Sequence, residues 1–247
     1  MTTAIQAAKS AGAFLKKHFY EQKKVDEASQ NDIKLELDKL SQKLITEEIL
    51  SVFPNHAVLG EEGYTGDRNS EYEWIVDPID GTVNYFYTIP WFCVSIALRR
   101  RGEVVLGVIY DPMMDECWHV EKGGIPYMND HPMHCSRRER MAEAVVFVGH
   151  GKTDGSKEKG IERFARIAWQ VRKVRNNGSA ALALAYIACG RFDAYVESVI
   201  SIWDVAGVLL VEVAGGKVVL EPKEDNPEQF AIVAWNGRIP IMEALGE

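Results

Sequence analysis

The twelve residues Glu73-Trp74-Ile75-Val76-Asp77-Pro78-Ile79-Asp80-Gly81-Thr82-Val83-Asn84 set where a strand must end and where charge must collect. Trp74, Ile75 and Val76 form a short apolar run, which reads as a buried strand. Asp77 stands where that run ends. Pro78 has no N–H to give to a sheet ladder, so pairing is expected to stop there. Asp80-Gly81 is a turn signal, and Thr82 can cap or begin the next element. Two carboxylates and a hydroxyl are thereby crowded onto one strand-to-loop corner.

Crowding of that kind demands compensation. Two carboxylates about 4 Å apart repel by roughly 4 kcal/mol at an effective dielectric of about 20. Such a pair shares a proton or binds a cation. An all-oxygen donor set suits a hard cation, Mg²⁺ above all. The backbone N–H groups of Gly81 and Thr82, if they open a helix, would face an anion such as phosphate. Cation and phosphate together point to phosphoryl chemistry. Other patterns fit less well. A calcium-binding EF-hand loop fails on spacing, with Ile79 at a ligand position. A D-x-D-G-T phosphatase motif has one residue between its aspartates; here there are two, and Pro78 takes the nucleophile's place. A polar turn with chance acids is the plain alternative.

The whole chain narrows the choice. Its 247 residues fit one large domain or two small lobes. The net charge of −8 argues against nucleic acid or an anionic membrane surface as the main partner. It leaves a phosphorylated substrate open, because bound cations reverse the local sign. No apolar run approaches the length of a membrane span, and the N-terminus has no signal-peptide pattern. Cys93, Cys117, Cys135 and Cys189 form no CxxC pair, so free thiols in a reducing cytoplasm are expected.

In chain order, Ala4, Ala8, Ala11, Leu15 and Phe19 predict an amphipathic helix over 2–20. A polar loop is expected over 21–31, then a brief strand at 33–37. A second helix starts from Asp38, which could be no more than an acid favoured near a helix N-terminus. Ala57-Val58-Leu59 reads as a strand running into Gly60-Glu61-Glu62-Gly63. Beyond the corner, 94–98, 104–110 and 116–120 read as an antiparallel meander. Residues 122–132 are turn-rich, 145–148 read as a strand, and 149–160 read as a glycine-rich loop separating two lobes, 1–150 and 151–247, of one catalytic unit. The second half alternates: helix 161–171, strand 172–175, helix 179–189, strand 192–197, helix 203–214, strands 217–220 and 231–235, and a short terminal helix. Such alternation packs helices on a sheet. Ser179 is a candidate N-cap, and Asp204 taken alone is an ordinary first-turn acid. His18, His56, His119, His131, His134 and His150 show no metal spacing.

Three segments together carry a resemblance. Gly60-Glu61-Glu62, Asp77-Pro78-Ile79-Asp80-Gly81-Thr82-Val83-Asn84 and Trp203-Asp204-Val205-Ala206-Gly207 are similar to the three signatures of the inositol monophosphatase family, in the family's order and spacing. The resemblance implies an α+β fold, a layered αβαβα sandwich. It implies a homodimer and a Mg²⁺-dependent phosphomonoesterase using two or three ions. Carried over, Glu61, Asp77, Asp80, Asp204 and the carbonyl of Ile79 look like metal ligands. Thr82 and Asp38 look like the pair that orients the attacking water, with Glu61 also catalytic and Glu62 behind it. Asp80, Gly81 and Thr82 would hold substrate, the last two through backbone N–H groups on phosphate. Gly178, Ser179 and Glu197 fall where the family contacts the alcohol moiety.

This chain departs from the family pattern in places. Glu36-Leu37 replaces the small residues common before the acid at 38. Gly123-Gly124-Ile125 and Asn129-Asp130 match the usual hairpin loosely, and Ser201-Ile202 stand where relatives often have His-Cys. Thr82-Val83-Asn84 favours inositol monophosphate over a nucleotide as substrate. Histidinol phosphate and sugar bisphosphates are the alternatives within the family, and a non-catalytic metal-binding scaffold is the alternative outside it.

Overall fold

The computed structural model describes residues 1–28, 33–151 and 154–246. Side chains alternate across a strand, and β5 (Tyr72–Asp80) uses that alternation to serve two cores. Trp74 and Val76 pack with Ala4, Ala8, Ala11 and Leu15 of α1 (Thr2–His18) and Ile45 and Ile49 of α2 (Glu36–Val52). Ile75, between them, joins the opposite core with Leu182 and Leu184 of α5 (Ala180–Ala188) and Leu210 of α6 (Val205–Val213). A sheet buried on both faces needs such unbroken apolar runs.

Among the described residues, β5 lies inside an eight-stranded sheet. Its members are β3 (Ala57–Gly60), β4 (Gly63–Thr65), β5, β6 (Cys93–Arg100), β7 (Glu103–Asp111), β8 (Glu116–Glu121), β9 (Tyr127–Met128) and β10 (His131–Pro132). The spatial order is β10-β9-β8-β7-β6-β5-β3-β4, with β5 parallel to β3 and antiparallel to β6. The expected meander is β6-β7-β8, with the β9-β10 hairpin inside the turn-rich stretch.

Among the described residues the second sheet has five strands. It holds β11 (Val145–Val148), β12 (Lys173–Arg175), β13 (Ala194–Ser201), β14 (Lys217–Pro222) and β15 (Gln229–Trp235), in the order β12-β11-β13-β15-β14. Phe147 and Tyr195 face the α5–α6 layer, whereas Val146, Val148, Ala194 and Val196 face a third core. That core also holds Ile167 of α4 (Asp154–Ala168) and Ile241 and Leu245 of α7 (Ile241–Leu245). The layers therefore run α1/α2, first sheet, α5/α6, second sheet, α4/α7, which is the expected αβαβα sandwich. One core spans the helix pair and the facing sides of both sheets.

The chain passes from the first sheet to the second between β10 and β11. Several boundaries differ from the sequence reading. Part of the expected loop over 21–31 is a strand, β1 (Val25–Ala28), paired antiparallel with β2 (Ile33–Leu35); the remainder of that loop reaches outside the described residues. Helix α4 starts seven residues before the expected 161. Gly160 reads as a loop signal, yet it lies within the helix. A Cβ there would come within 2.4 Å of His150 Cα, so this glycine serves close packing. Finally, β5 runs through Pro78 to Asp80. The ladder to β6 is irregular between Asp77 and Asp80 and resumes at Asp80 opposite Cys93, while the ladder to β3 ends at Val76. Pro78 sits in that gap, where a missing N–H costs no ladder bond.

Candidate active site

The gap in the β5 ladder places the acidic corner at the mouth of the sheet. Asp77 is only 5% exposed, and its Oδ1 accepts the Ile79 N–H at 3.0 Å. Gly81 turns the chain at φ +95°, in the left-handed region. A Cβ there would stand 3.0 Å from the Trp91 carbonyl oxygen, so a side chain would be crowded as well as held in a left-handed backbone. The short helix α3 (Thr82–Phe86) starts at once. The Thr82 hydroxyl lies 2.9 Å from the Ile79 carbonyl oxygen and 3.4 Å from Asp38 Oδ1.

Asp38 arrives from α2, where it is the third residue. Its Oδ2 accepts the Leu35 N–H at 2.7 Å, so the acid closes the helix start and reaches Thr82 with its other oxygen. Burial pushes Asp38 up to about 7, helped by the charges of Glu61 and Glu62 and opposed by the Leu35 and Thr82 hydrogen bonds. Glu61 comes directly after β3, its N–H bonded to the Val76 carbonyl at 3.1 Å. Gln42 of α2 accepts the Glu62 N–H at 2.8 Å, tying that loop to the helix. Asp204 ends a 3-10 turn over Ile202–Asp204 at the head of α6, and one of its oxygens accepts the Ser201 N–H at 3.1 Å.

Glu61, Asp77, Ile79, Asp80, Gly81, Thr82, Gly178, Ser179, Glu197 and Asp204 all line one cleft of about 320 Å³. Asp38 lies behind Thr82, outside the lining. Burial raises Asp77 well above the usual carboxylate range, and Glu61, Asp80, Asp204 and Asp38 all add to the rise. The described lining residues include no lysine or arginine, and His150 is the one imidazole. Ionised, these carboxylates would repel a phosphate dianion, and cations bound among them would reverse that local sign. This donor chemistry fits hard divalent ions. As they stand, no three described acidic, histidine or cysteine side chains close tightly around a single point, so the acids form an open set.

The far wall of the cleft comes from the second sheet. Glu197, 8% exposed, lies on β13, and its Oε1 accepts the Ser198 N–H at 2.7 Å. Burial pushes it up to about 7, against backbone hydrogen bonds from Ser198, Val199 and Gly151 and the charge of Arg163. Gly178 turns at φ +72° beside Asn84. Ser179 is the N-cap of α5 as expected, accepting the Leu182 N–H at 3.3 Å. Its hydroxyl proton, however, goes to Asp80 Oδ2 at 2.5 Å and not toward the open cleft.

Sequence reasoning gave no role to Asn84, whose amide bridges the carbonyls of Trp91 at 2.8 Å and Asn177 at 2.6 Å. Nor did it single out Cys93, 3.7 Å from Asp80 Oδ2, or Asn176 and His150, which touch at the cleft rim. These contacts join residues up to 93 positions apart, and nothing local signals them.

The inositol monophosphatase family pattern matches residues 1–239. An inositol-1-monophosphatase of Mesorhizobium japonicum is 36% identical over 242 residues, covering 96% of this chain and 91% of that protein. Nus factor SuhB of Xylella fastidiosa is 35% identical over 252 residues, covering 98% and 90%. Among solved structures, the extragenic suppressor protein suhB of Bartonella henselae superposes with a TM-score of 0.91 at 33% identity, covering 100% of this chain and 98% of that one. An IMPase of Thermotoga maritima gives 0.86 at 31%, covering 98% and 93%. On its motifs, its layered fold and these likenesses, the chain belongs to the inositol monophosphatase family, a family of phosphoric monoester hydrolases.

Proposed function

We propose that the protein hydrolyses a small phosphate monoester with Mg²⁺, inositol monophosphate before other esters, by direct attack of water. The observation that carries this is the single cleft in which Glu61, Asp77, Asp80 and Asp204 converge with no lysine or arginine among its described lining residues. Glu61, Asp77, Asp80, Asp204 and the Ile79 carbonyl would hold two or three ions. Bound there, Mg²⁺ would supply Lewis-acid stabilisation of the developing negative charge. The chain's own part is positioning, as suits phosphoryl transfer. Backbone N–H groups at Gly81 and Thr82 would face the phosphate, and Asp80 would take part in substrate binding. The Thr82 hydroxyl, hydrogen-bonded toward Asp38, would orient the attacking water and pass its proton to that carboxylate. Asp77 and Asp80 are committed to cations in this reading, so no phosphoenzyme forms. Gly178 and Glu197, on the opposite wall, would meet the alcohol moiety.

Phosphate release from a panel of esters, with Mg²⁺ and then with chelator, tests the reading. Inositol monophosphate should lead, and chelation should abolish turnover. A lead for histidinol phosphate or a sugar bisphosphate would replace the substrate and keep the chemistry. No release from any ester would favour the scaffold reading.

The homodimer rests on the family resemblance, and a dimer mass in light scattering at micromolar concentration is the expected result. A cytoplasmic setting is supported by the four unpaired cysteines, since reducing compartments keep thiols free. No described helix is long and apolar enough to cross a membrane.

A further inference from the structure

Asp80 belongs to the first sheet, yet its carboxylate is held by the helix layer between the two sheets. Asp80 Oδ2 accepts the Ser179 hydroxyl at 2.5 Å and the Ala181 N–H at 2.8 Å, and Cys93 Sγ lies 3.7 Å from the same oxygen. Ser179 is 3% exposed. Its one hydroxyl proton is committed to Asp80, and its oxygen also accepts the Leu182 N–H. A hydroxyl so engaged has no proton left for a substrate oxygen. Asn84 makes a parallel tie, joining α3 to the Asn177 carbonyl just ahead of α5.

We propose that Ser179 is a positioning residue, which clamps one oxygen of Asp80 to the head of α5 so that the other is presented to the cation site, and that it does not read the alcohol moiety. This rests on the reading of Asp80 as a cation ligand. The clamp works because three donors converging on Oδ2 oppose rotation of the carboxylate about its χ2 torsion. Without the clamp, Asp80 would have to be ordered when the ion binds, at a cost in affinity.

The test is calorimetry of Mg²⁺ on the full chain without substrate, followed by steady-state kinetics on the ester panel. Ser179→Gly and Ser179→Ala both remove the hydroxyl, but glycine is tolerated at a helix N-cap where alanine is not. Both should weaken Mg²⁺ binding by about 10–100-fold, the usual effect of losing a group that orients a metal ligand. Saturating Mg²⁺ should restore most of kcat, and the ranking of esters by kcat/KM should not change. Ser179→Thr, which keeps a hydroxyl, should bind Mg²⁺ like the unsubstituted chain. Unchanged Mg²⁺ affinity in the glycine variant would overturn the inference. So would a loss confined to the alanine variant, which would report the helix cap, or a reordered ester ranking, which would make Ser179 a substrate contact. Absence of Mg²⁺ binding in the unsubstituted chain would instead remove the reading of Asp80 on which the inference stands.

Discussion

Thr82 carries one hydroxyl proton and faces two acceptors, the Ile79 carbonyl at 2.9 Å and Asp38 Oδ1 at 3.4 Å. It can satisfy one at a time, so a proton can pass to Asp38 only when that bond shortens at the expense of the other. Removing the hydroxyl in Thr82→Ala should cost roughly 10²–10⁴ in kcat, the usual worth of a positioned acid–base group. Mg²⁺ affinity should hold in calorimetry, because no carboxylate is lost. A Thr82→Ala enzyme with undiminished kcat would remove the residue from the mechanism. Glu197 makes a different prediction, about stability. Burial holds its proton in the folded chain up to about pH 7, whereas the free side chain loses it near 4.5. Between those values the folded state binds more protons than the unfolded state, so stability falls as pH rises through the window. Glu197→Gln removes that dependence. Measured in chelator, the variant should melt with the parent at pH 4.5 and above it at pH 8. Parallel melting curves across the range would show that Glu197 ionises normally. On esters, the same change should alter the ranking of alcohols more than the Mg²⁺ dependence.

At the scale of elements, the corner depends on a bend that only glycine makes cheaply. Gly81→Ala should destabilise the fold by about 1–2 kcal/mol for the left-handed backbone alone. The new Cβ, 3.0 Å from the Trp91 carbonyl oxygen, adds to that cost. A lower melting temperature with reduced turnover is expected, and an unshifted melting temperature would mean that the turn relaxes freely. This turn was legible in the sequence, as was the burial of Trp74, Ile75 and Val76 on both faces of β5, because each signal is carried by adjacent residues. The α1 period and the β6-β7-β8 meander were legible for the same reason. The misread boundaries share a physical origin. β1 is a strand because β2 pairs with it, and α4 contains Gly160 because His150 packs against it. Those causes lie in contacts that local propensity does not contain. The site divided in the same way. Glu61, Asp77, Asp80 and Asp204 stood out through their motifs, whereas the hydroxyl of Ser179 turns to Asp80, 99 positions away. An N-cap signal could not reveal that direction.

At the scale of the molecule, the acids that would bind cations come from the first sheet and from the helix layer packed against it. Asp77 and Asp80 lie on β5 of the first sheet, Glu61 directly follows β3 of the same sheet, and Asp204 heads α6. Without cations their charges oppose one another across the joint, and Asp77, buried beside Glu61, Asp80 and Asp204, is held well above the usual carboxylate range by that burial and those charges. A cation shared among them would both cancel the repulsion and tie the layers together. The unsubstituted chain should therefore gain stability from Mg²⁺, about 2.7 kcal/mol when the free ion stands at about 100 times its Kd. Asp77→Asn should reverse the order of stabilities. The amide keeps an oxygen for the Ile79 N–H and carries no charge, so in chelator this variant should melt above the parent. With Mg²⁺ present the parent should overtake it, because the variant has lost a ligand. Asp204→Asn should lose the Mg²⁺ response in the same way, although its charge sits on the other side of the joint. Melting temperatures of the three proteins, each with chelator and with saturating Mg²⁺, decide the matter. A parent chain indifferent to Mg²⁺, or an Asp77→Asn variant that gains as much from it as the parent, would show that these acids are not a shared cation site and that repulsion among them is relieved by protons instead.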